Sequence, residues 1–292
     1  PYLMDFASYD VVSKYYSYAV EYYKDTDNEI QWLPICALPQ TIIANKTLFD
    51  QYGIKVPENY EEYVQVCQQF YDKGIKPYSM NFAEDWANQE IIQAAAIGEF
   101  TSLAGIDWRN EAETSAGEIK FDDVLWKRIF SETSQFLKDS HFSKEDINVN
   151  VNTGTQMFVE GKSAMFHGQP RDMQKFQDQM DAELIRIPYF SQTSDSSFVY
   201  MFPSLNIAFN KELEKNQEKL DTALDVLDCM ISEEGQKLIA DGSGVISLNT
   251  DVPTMMQDVP GLEEEINHNA VYIRYSAQKS FDASLEAVHG LL

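Results

Sequence analysis

The sequence predicts an α/β fold built from alternating helices and strands. Three observations predict it. Apolar residues recur at helical spacing in several capped segments, short β-rich runs fall between those segments, and glycines stand where the helices should stop. With 292 residues, 44% of them apolar and 13% aromatic, the chain can fill more than one core.

The elements follow in order. Val12, Tyr15, Tyr16, Ala19 and Tyr23 predict a first helix from Tyr9 to Lys24. Runs at Ile30–Ile35 and Ile42–Ala44 read as strands, and Pro34 and Pro39 suggest an edge or a crossing segment. Asn59 followed by Glu62 reads as the N-terminal cap of a helix through Phe70, stopped at Gly74. A strand at Lys76–Met80 precedes a helix near Asn88 to Ala96, and a longer helix spans Asp122 to Leu137. A helix near Thr155–Glu160, a strand at Ser163–Phe166, a helix near Asp172–Met180 and a strand at Leu184–Ile187 come next. Helices at Glu218–Ile231 and Glu233–Ala240 follow, joined at Ser232 and stopped at Gly242. This alternation predicts mainly parallel strands.

Forty-seven acidic residues against 22 basic ones give a net charge of −25, which argues against nucleic acid or an anionic membrane as a partner. Cys36, Cys67 and Cys229 show no metal or redox spacing and read as small buried hydrophobes. Pro1 to Phe6 lack the charged and apolar regions of a signal peptide, so the start reads as mature or truncated sequence. The four histidines do not pair at ligand spacing, and the sequence has no nucleophile elbow, phosphate loop or dinucleotide fingerprint. No cofactor is expected. Carboxylate pairs of the kind a glycosidase uses arise by chance in so acidic a chain.

Three phrases in order resemble the family 1 extracellular solute-binding proteins, whose members bind maltose and other oligosaccharides. The first is Trp32-Leu-Pro34, then Ile42-Ile-Ala-Asn45-Lys46, Tyr52-Gly53-Ile-Lys-Val-Pro57 and Tyr60-Glu61-Glu62. Ala44, Asn59 and Tyr60 depart from the family's commonest residues. The second is Phe158-Val-Glu-Gly161-Lys162-Ser163-Ala164-Met165, with Gly168 where the family places a glycine before a cleft aromatic. The third is Ala223–Ile231 followed by Ser232-Glu-Glu-Gly-Gln236, with Gly244-Val-Ile-Ser247 beyond it.

The resemblance implies a periplasmic-binding-protein-like fold, two α/β lobes with hinge-crossing strands that close over a ligand. It implies that residues 1–40 and 206–245 belong to the first lobe, 41–205 to the second, and 246–292 to a third crossing and C-terminal helices that pack at the hinge or the second lobe. The family's opening strand, helix, strand and helix have no counterpart here, so the first lobe is expected to be incomplete and the chain alone unstable. The function implied is capture of a sugar or oligosaccharide for an ABC importer permease, by a monomer that is extracellular and lipid-anchored, or periplasmic, and not an enzyme. Another small polar solute is the alternative, and a glycoside hydrolase the weaker one.

Sugar sites use aromatic faces and planar polar groups. Glu84, Asp85 and Trp86 follow a strand and open a helix, where α/β sheets bind ligands, although a buried tryptophan beside solvated acids fits the same residues. His167, Gln169 and Arg171 surround Gly168 at the end of the next strand, as a binding loop or a solvated turn; Gln169 and Pro170 occupy the place where relatives carry a tryptophan. Gln40 in the first crossing, and Tyr200, Phe202 and Ser204 in the second, either line the cleft floor or pack the hinge. Trp108 and Trp126 read as core residues.

Overall fold

The structure is a computed structural model and describes residues 2–24, 27–114, 123–240, 245–252, 270–274 and 281–292. In place of one helix over Tyr9–Lys24 it has a 3-10 turn at Asp10–Lys14 and a short helix α1 at Ser17–Glu21. The break falls where Tyr15 bridges to Asn249 and the Tyr16 amide donates to the Leu248 carbonyl at 3.0 Å. Tyrosine and valine are modest helix formers, and pairing with another segment wins over a continuous helix.

Strand β1 is a single run, Leu33–Asn45, where the sequence suggested two. Neither proline falls among the residues of β1 that pair with β3, β4 and β7, which are Cys36, Ala37 and Thr41 to Asn45. Helix α2 (Lys46–Tyr52) follows, and then α3 (Tyr60–Asp72), capped as expected by Asn59 Oδ1, which accepts from the Glu62 amide at 2.9 Å. Strand β2 (Lys76–Ser79) leads to α4 (Asp85–Ala95), α5 (Ile97–Thr101), α6 (Leu103–Thr114) and α7 (Asp123–Asp139). Helix α8 (Val151–Val159) ends at Gly161, whose φ of +69° reverses the chain into strand β3 (Ser163–Gly168). Helix α9 (Pro170–Gln177) and strands β4 (Leu184–Ile187), β5 (Tyr189–Phe190) and β6 (Ser197–Ile207) come next. The chain continues through α10 (Gln217–Ile231), α11 (Glu233–Ala240), β7 (Ile246–Ser247), β8 (Ala270–Ile273) and α12 (Phe281–Leu291). The expected stop at Gly242 lies outside the described residues.

Mainly parallel pairing is not observed. β2 and β3 are parallel, with Tyr78 opposite Met165, but β1 runs antiparallel to β3, β4 and β7, and β5 antiparallel to β6. Alternation of helix and strand does not say where each strand enters a sheet. Here β3 inserts between β2 and β1, parallel to the first and antiparallel to the second.

The chain divides into two compact units, Pro1–Pro39 with Met201–Val259, and Gln40–Tyr200 with Pro260–Leu292. In the second, alternate residues of β1 feed separate cores. Ile42 and Ala44 join a large aromatic cluster with Tyr63, Phe70, Tyr78, Phe100 and Trp126, whereas Ile43 joins Phe158, Phe166 and Phe176 on the other face. Trp108 and Trp126 are buried and meet edge to face, 5.0 Å between ring centroids.

The first unit is held by named polar ties. Ser232 Oγ donates to the Cys229 carbonyl at 2.7 Å and accepts from the Gly235 amide at 3.2 Å, which joins α10 to α11. Gln236, fully buried, donates from Nε2 to the Ile35 and Met230 carbonyls. These contacts give the phrase Ser232–Gln236 a structural role. Cys36 and Cys67 are buried as expected, but Cys229 is exposed, because the buried stripe of α10 runs through Leu220, Leu227 and Ile231 and Cys229 faces outward.

Candidate ligand site

The site is built on the opening of α4. Asn88, one turn into the helix, donates from Nδ2 to the Phe82 and Glu84 carbonyls at 3.0 Å each, and so locks the loop that feeds the helix. The Ala83 amide donates to the Val149 carbonyl, and Glu84 Oε1 accepts from the Val151 amide at 3.4 Å, which ties the same loop to the start of α8. Held this way, Glu84 is partly covered, Asp85 is exposed, and Trp86 is 37% exposed.

Beneath Trp86 lies a buried polar network. The indole and the His167 imidazole are 6.4 Å apart between centroids and tilted by 31°. Glu90, one turn after Trp86 on α4, is 1% exposed and His167 is 2% exposed. Glu90 Oε2 lies 2.8 Å from His167 Nε2, and Glu90 Oε1 accepts from Arg274 Nη1 at 2.5 Å. On the other side of the ring, His167 Nδ1 lies 2.8 Å from the Tyr189 hydroxyl and 3.3 Å from that of Tyr78.

A carboxylate only accepts, so the Glu90 contact is donated by His167 Nε2, while Nδ1 faces the Tyr189 hydroxyl. Burial pushes the Tyr78 and Tyr189 phenols well above their ordinary range, so both remain neutral hydroxyls. Gln93, three residues after Glu90, accepts from the Tyr272 hydroxyl at 2.7 Å, and the Tyr200 ring packs between those of Tyr189 and Tyr272, 5.7 and 5.4 Å away. Trp86, Glu90 and Gln93 thus form one stripe down α4. Its open end is aromatic and acidic, and its inner part is a satisfied polar core. The Arg274 charge offsets that of Glu90.

The other expected residues are more dispersed. Gln169 follows β3, and its amide donates to Asp172 Oδ2 at 2.9 Å; its buried Oε1 has no hydrogen-bond partner among the described residues. Arg171 is exposed on the first turn of α9. Gln40 is buried in β1, next to Thr41, whose hydroxyl donates to the Ile187 carbonyl. Tyr200 is fully buried. Phe202 and Ser204, both partly covered, belong to the other unit.

Sequence reasoning missed Glu90, Tyr78, Tyr189, Gln93, Tyr272 and Arg274. Glu90 carried a signal: it is an acid inside a run of Ala, Ile and Gln, four residues after Trp86. No group of three or more His, Cys, Asp or Glu able to hold a metal occurs among the described residues.

The family profile described as "Bacterial extracellular solute-binding protein" matches residues 1–264. The chain belongs to that family. This solute-binding protein is similar to the multiple sugar-binding protein of Streptococcus mutans, 24% identical over 148 residues, a match covering 51% of this chain and 34% of the relative. It thus spans about a third of the length of that curated relative. Among solved structures it resembles a family 1 extracellular solute-binding protein from Bifidobacterium longum subsp. infantis, with a TM-score of 0.76 and 14% identity, covering 100% of this chain and 76% of that one. It also resembles a sugar transporter from Bacillus licheniformis in complex with stachyose, with a TM-score of 0.69 and 13% identity, covering 99% and 76%. At such identities the likeness is one of fold, and that fold is the periplasmic-binding-protein-like one. No helix among the described residues is long and apolar enough to cross a membrane.

Proposed function

We propose that this protein captures a neutral sugar or oligosaccharide outside the cell and delivers it to the permease of an ABC importer. Trp86 supplies the stacking face, and Glu84 and Asp85 accept ligand hydroxyls. The observation that carries the reading is a tryptophan held 37% exposed above the buried Glu90–His167–Tyr189 network. An aromatic face with acceptors beside it suits the alternating apolar and hydroxyl surfaces of a pyranose. Membership of the solute-binding family and the sugar ligands named for its relatives support the same reading.

The role is binding without turnover. Glu90 is already engaged by His167 and Arg274, which leaves it unavailable as a general acid or base. The reading includes a monomer attached to the outer face of the membrane by a lipid, with the permease as its macromolecular partner.

The test is titration calorimetry with raffinose, stachyose and xylan- and chitin-derived oligosaccharides, alongside an assay for released reducing ends. Saturable heat with no release supports the proposal. Release of reducing ends, or no heat with any sugar in a protein that melts cooperatively, overturns it.

A further inference from the structure

We infer that the second unit carries another saccharide site, separate from Trp86, in an open groove between the start of α3 and the loop joining β5 to β6. The groove encloses about 620 Å³ and is lined by Tyr60, Glu61 and Gln65 of α3, by Asn59 before it, and by the loop Ser191–Asp195. Among the described residues its one aliphatic lining residue is Val64.

The loop wall is built rather than loose. Gln192 Nε2 donates to the Ala95 and Glu132 carbonyls, both at 2.8 Å, and this one side chain fastens the loop to α4 and α7. The Ser191 amide donates to the Ser196 carbonyl at 2.9 Å, and Ser191 Oγ accepts from the Thr193 amide at 3.2 Å. The loop also sits against α5 at Gly98, where an added Cβ would come within 2.4 Å of Ser191 Oγ. On the facing wall, the Tyr60 hydroxyl donates to Asp139 Oδ2 at 3.0 Å, which fixes its ring. The loop backbone and the Tyr60 ring are thus fixed before a ligand arrives, so part of the ordering cost is already met on binding.

The chemistry of the lining selects the ligand class. Glu61 and Asp195 bring negative charge and, among the described residues, no lining residue brings a positive one, so an anionic ligand is repelled. An apolar ligand finds little beyond Val64 and the Tyr60 ring. An ammonium ligand would use the carboxylates and the amide and hydroxyl oxygens of Gln65, Thr193 and Ser194 but leave their donors, the Gln65 amide nitrogen above all, without an acceptor. A neutral polyhydroxylated chain uses all of them: carboxylates and amide oxygens accept from its hydroxyls, amide nitrogens donate to them, and the Tyr60 ring meets a pyranose face. The groove therefore fits a second stretch of neutral glycan, held outside the Trp86 site.

The experiment follows backbone amide shifts of the isotope-labelled chain as raffinose or xylotetraose is added, with trigalacturonic acid and spermidine as anionic and cationic controls. We expect saturable shifts at Tyr60, Glu61 and Thr193–Asp195 with the neutral sugars, retained in Trp86→Ala and weakened at least tenfold in Ser194→Trp, which fills the groove from an exposed position and leaves the buried anchors in place. Asp195→Asn should retain binding of the neutral sugars. The inference fails if these amides stay unmoved at millimolar sugar, if trigalacturonic acid or spermidine binds as tightly, or if Ser194→Trp leaves the shifts unchanged. Loss of the groove shifts in Trp86→Ala would also overturn it, since the two sites would then be one. Loss of binding at Trp86 alone would count against the proposed function and leave the groove standing.

Discussion

Glu90 Oε2 and His167 Nε2 stand 2.8 Å apart with both side chains nearly inaccessible to water, and this contact fixes the floor on which Trp86 rests. Glu90 also accepts from Arg274, so one carboxylate satisfies two donors drawn from different parts of the chain. Removing it takes that acceptor from the buried His167 ring and from the part-buried Arg274 guanidinium.

Glu90→Ala is expected to cost about 3–5 kcal/mol of stability, the range for breaking one partner out of a buried pair. Glu90→Gln keeps the shape and one acceptor and should cost less, about 1–3 kcal/mol. Denaturant unfolding of both variants checks the order. Equal losses would mean that the charge carries the whole contribution and that the retained shape and acceptor add nothing.

Trp86→Ala should weaken sugar binding by about 1–3 kcal/mol with little loss of stability, as for an aromatic anchor that is half open to solvent. A tryptophan serving the core would instead cost about 3–5 kcal/mol of stability. Calorimetry and denaturant melts on the same variant separate the two, and unchanged affinity for every sugar would remove Trp86 from the site.

The legible parts of this structure are those written locally. The Asn59–Glu62 cap, strand β4 and helix α11 could be read because each depends on residues within a few positions. The break at Tyr15 could not, since its partner Asn249 is 234 residues away in the chain. The site divides in the same way. Glu84, Asp85 and Trp86 stand out as a loop between a strand and a helix, whereas Arg274 reaches Glu90 only through folding, and nothing local marks Tyr189 as a partner of His167. Strand direction was misread for the same reason, because β3 inserts beside a strand far earlier in the chain.

Gln236→Ala tests the junction that ties α11 to β1. Its Nε2 serves two carbonyls at once, those of Ile35 and Met230, and its removal leaves both buried acceptors short. A loss of about 1–3 kcal/mol is expected in denaturant unfolding. Because Ile35, Met230 and Gln236 all belong to the first unit and α4 to the second, sugar affinity should be unchanged in the folded variant.

Glu132 on α7 gives a pH dependence with a defined sign. Burial first, and then the neighbouring Glu99 carboxylate, push its carboxyl up from the ordinary value near 4.5 to about 7, against the pull of Arg128. Arg128 pairs directly with Glu99 at 2.9 Å, and Glu132 Oε2 is buried with no hydrogen-bond partner among the described residues. The folded chain therefore keeps this proton at a pH where the unfolded chain has released it. Stability from this group is fully present below about pH 4.5 and is lost as the pH rises through about 7. A tenfold difference in proton affinity between the folded and unfolded chain corresponds to about 1.4 kcal/mol, and solvent screening holds the total to about 1–2 kcal/mol. Glu132→Gln cannot ionise, so its stability relative to the parent chain should rise between pH 5 and pH 8 by about that amount. Taking the difference between the two proteins cancels the contributions of the other titratable groups. Denaturant unfolding of both at each pH provides the measurement, and a difference that stays flat from pH 5 to pH 8 would show that Glu132 ionises in the fold as it does in water.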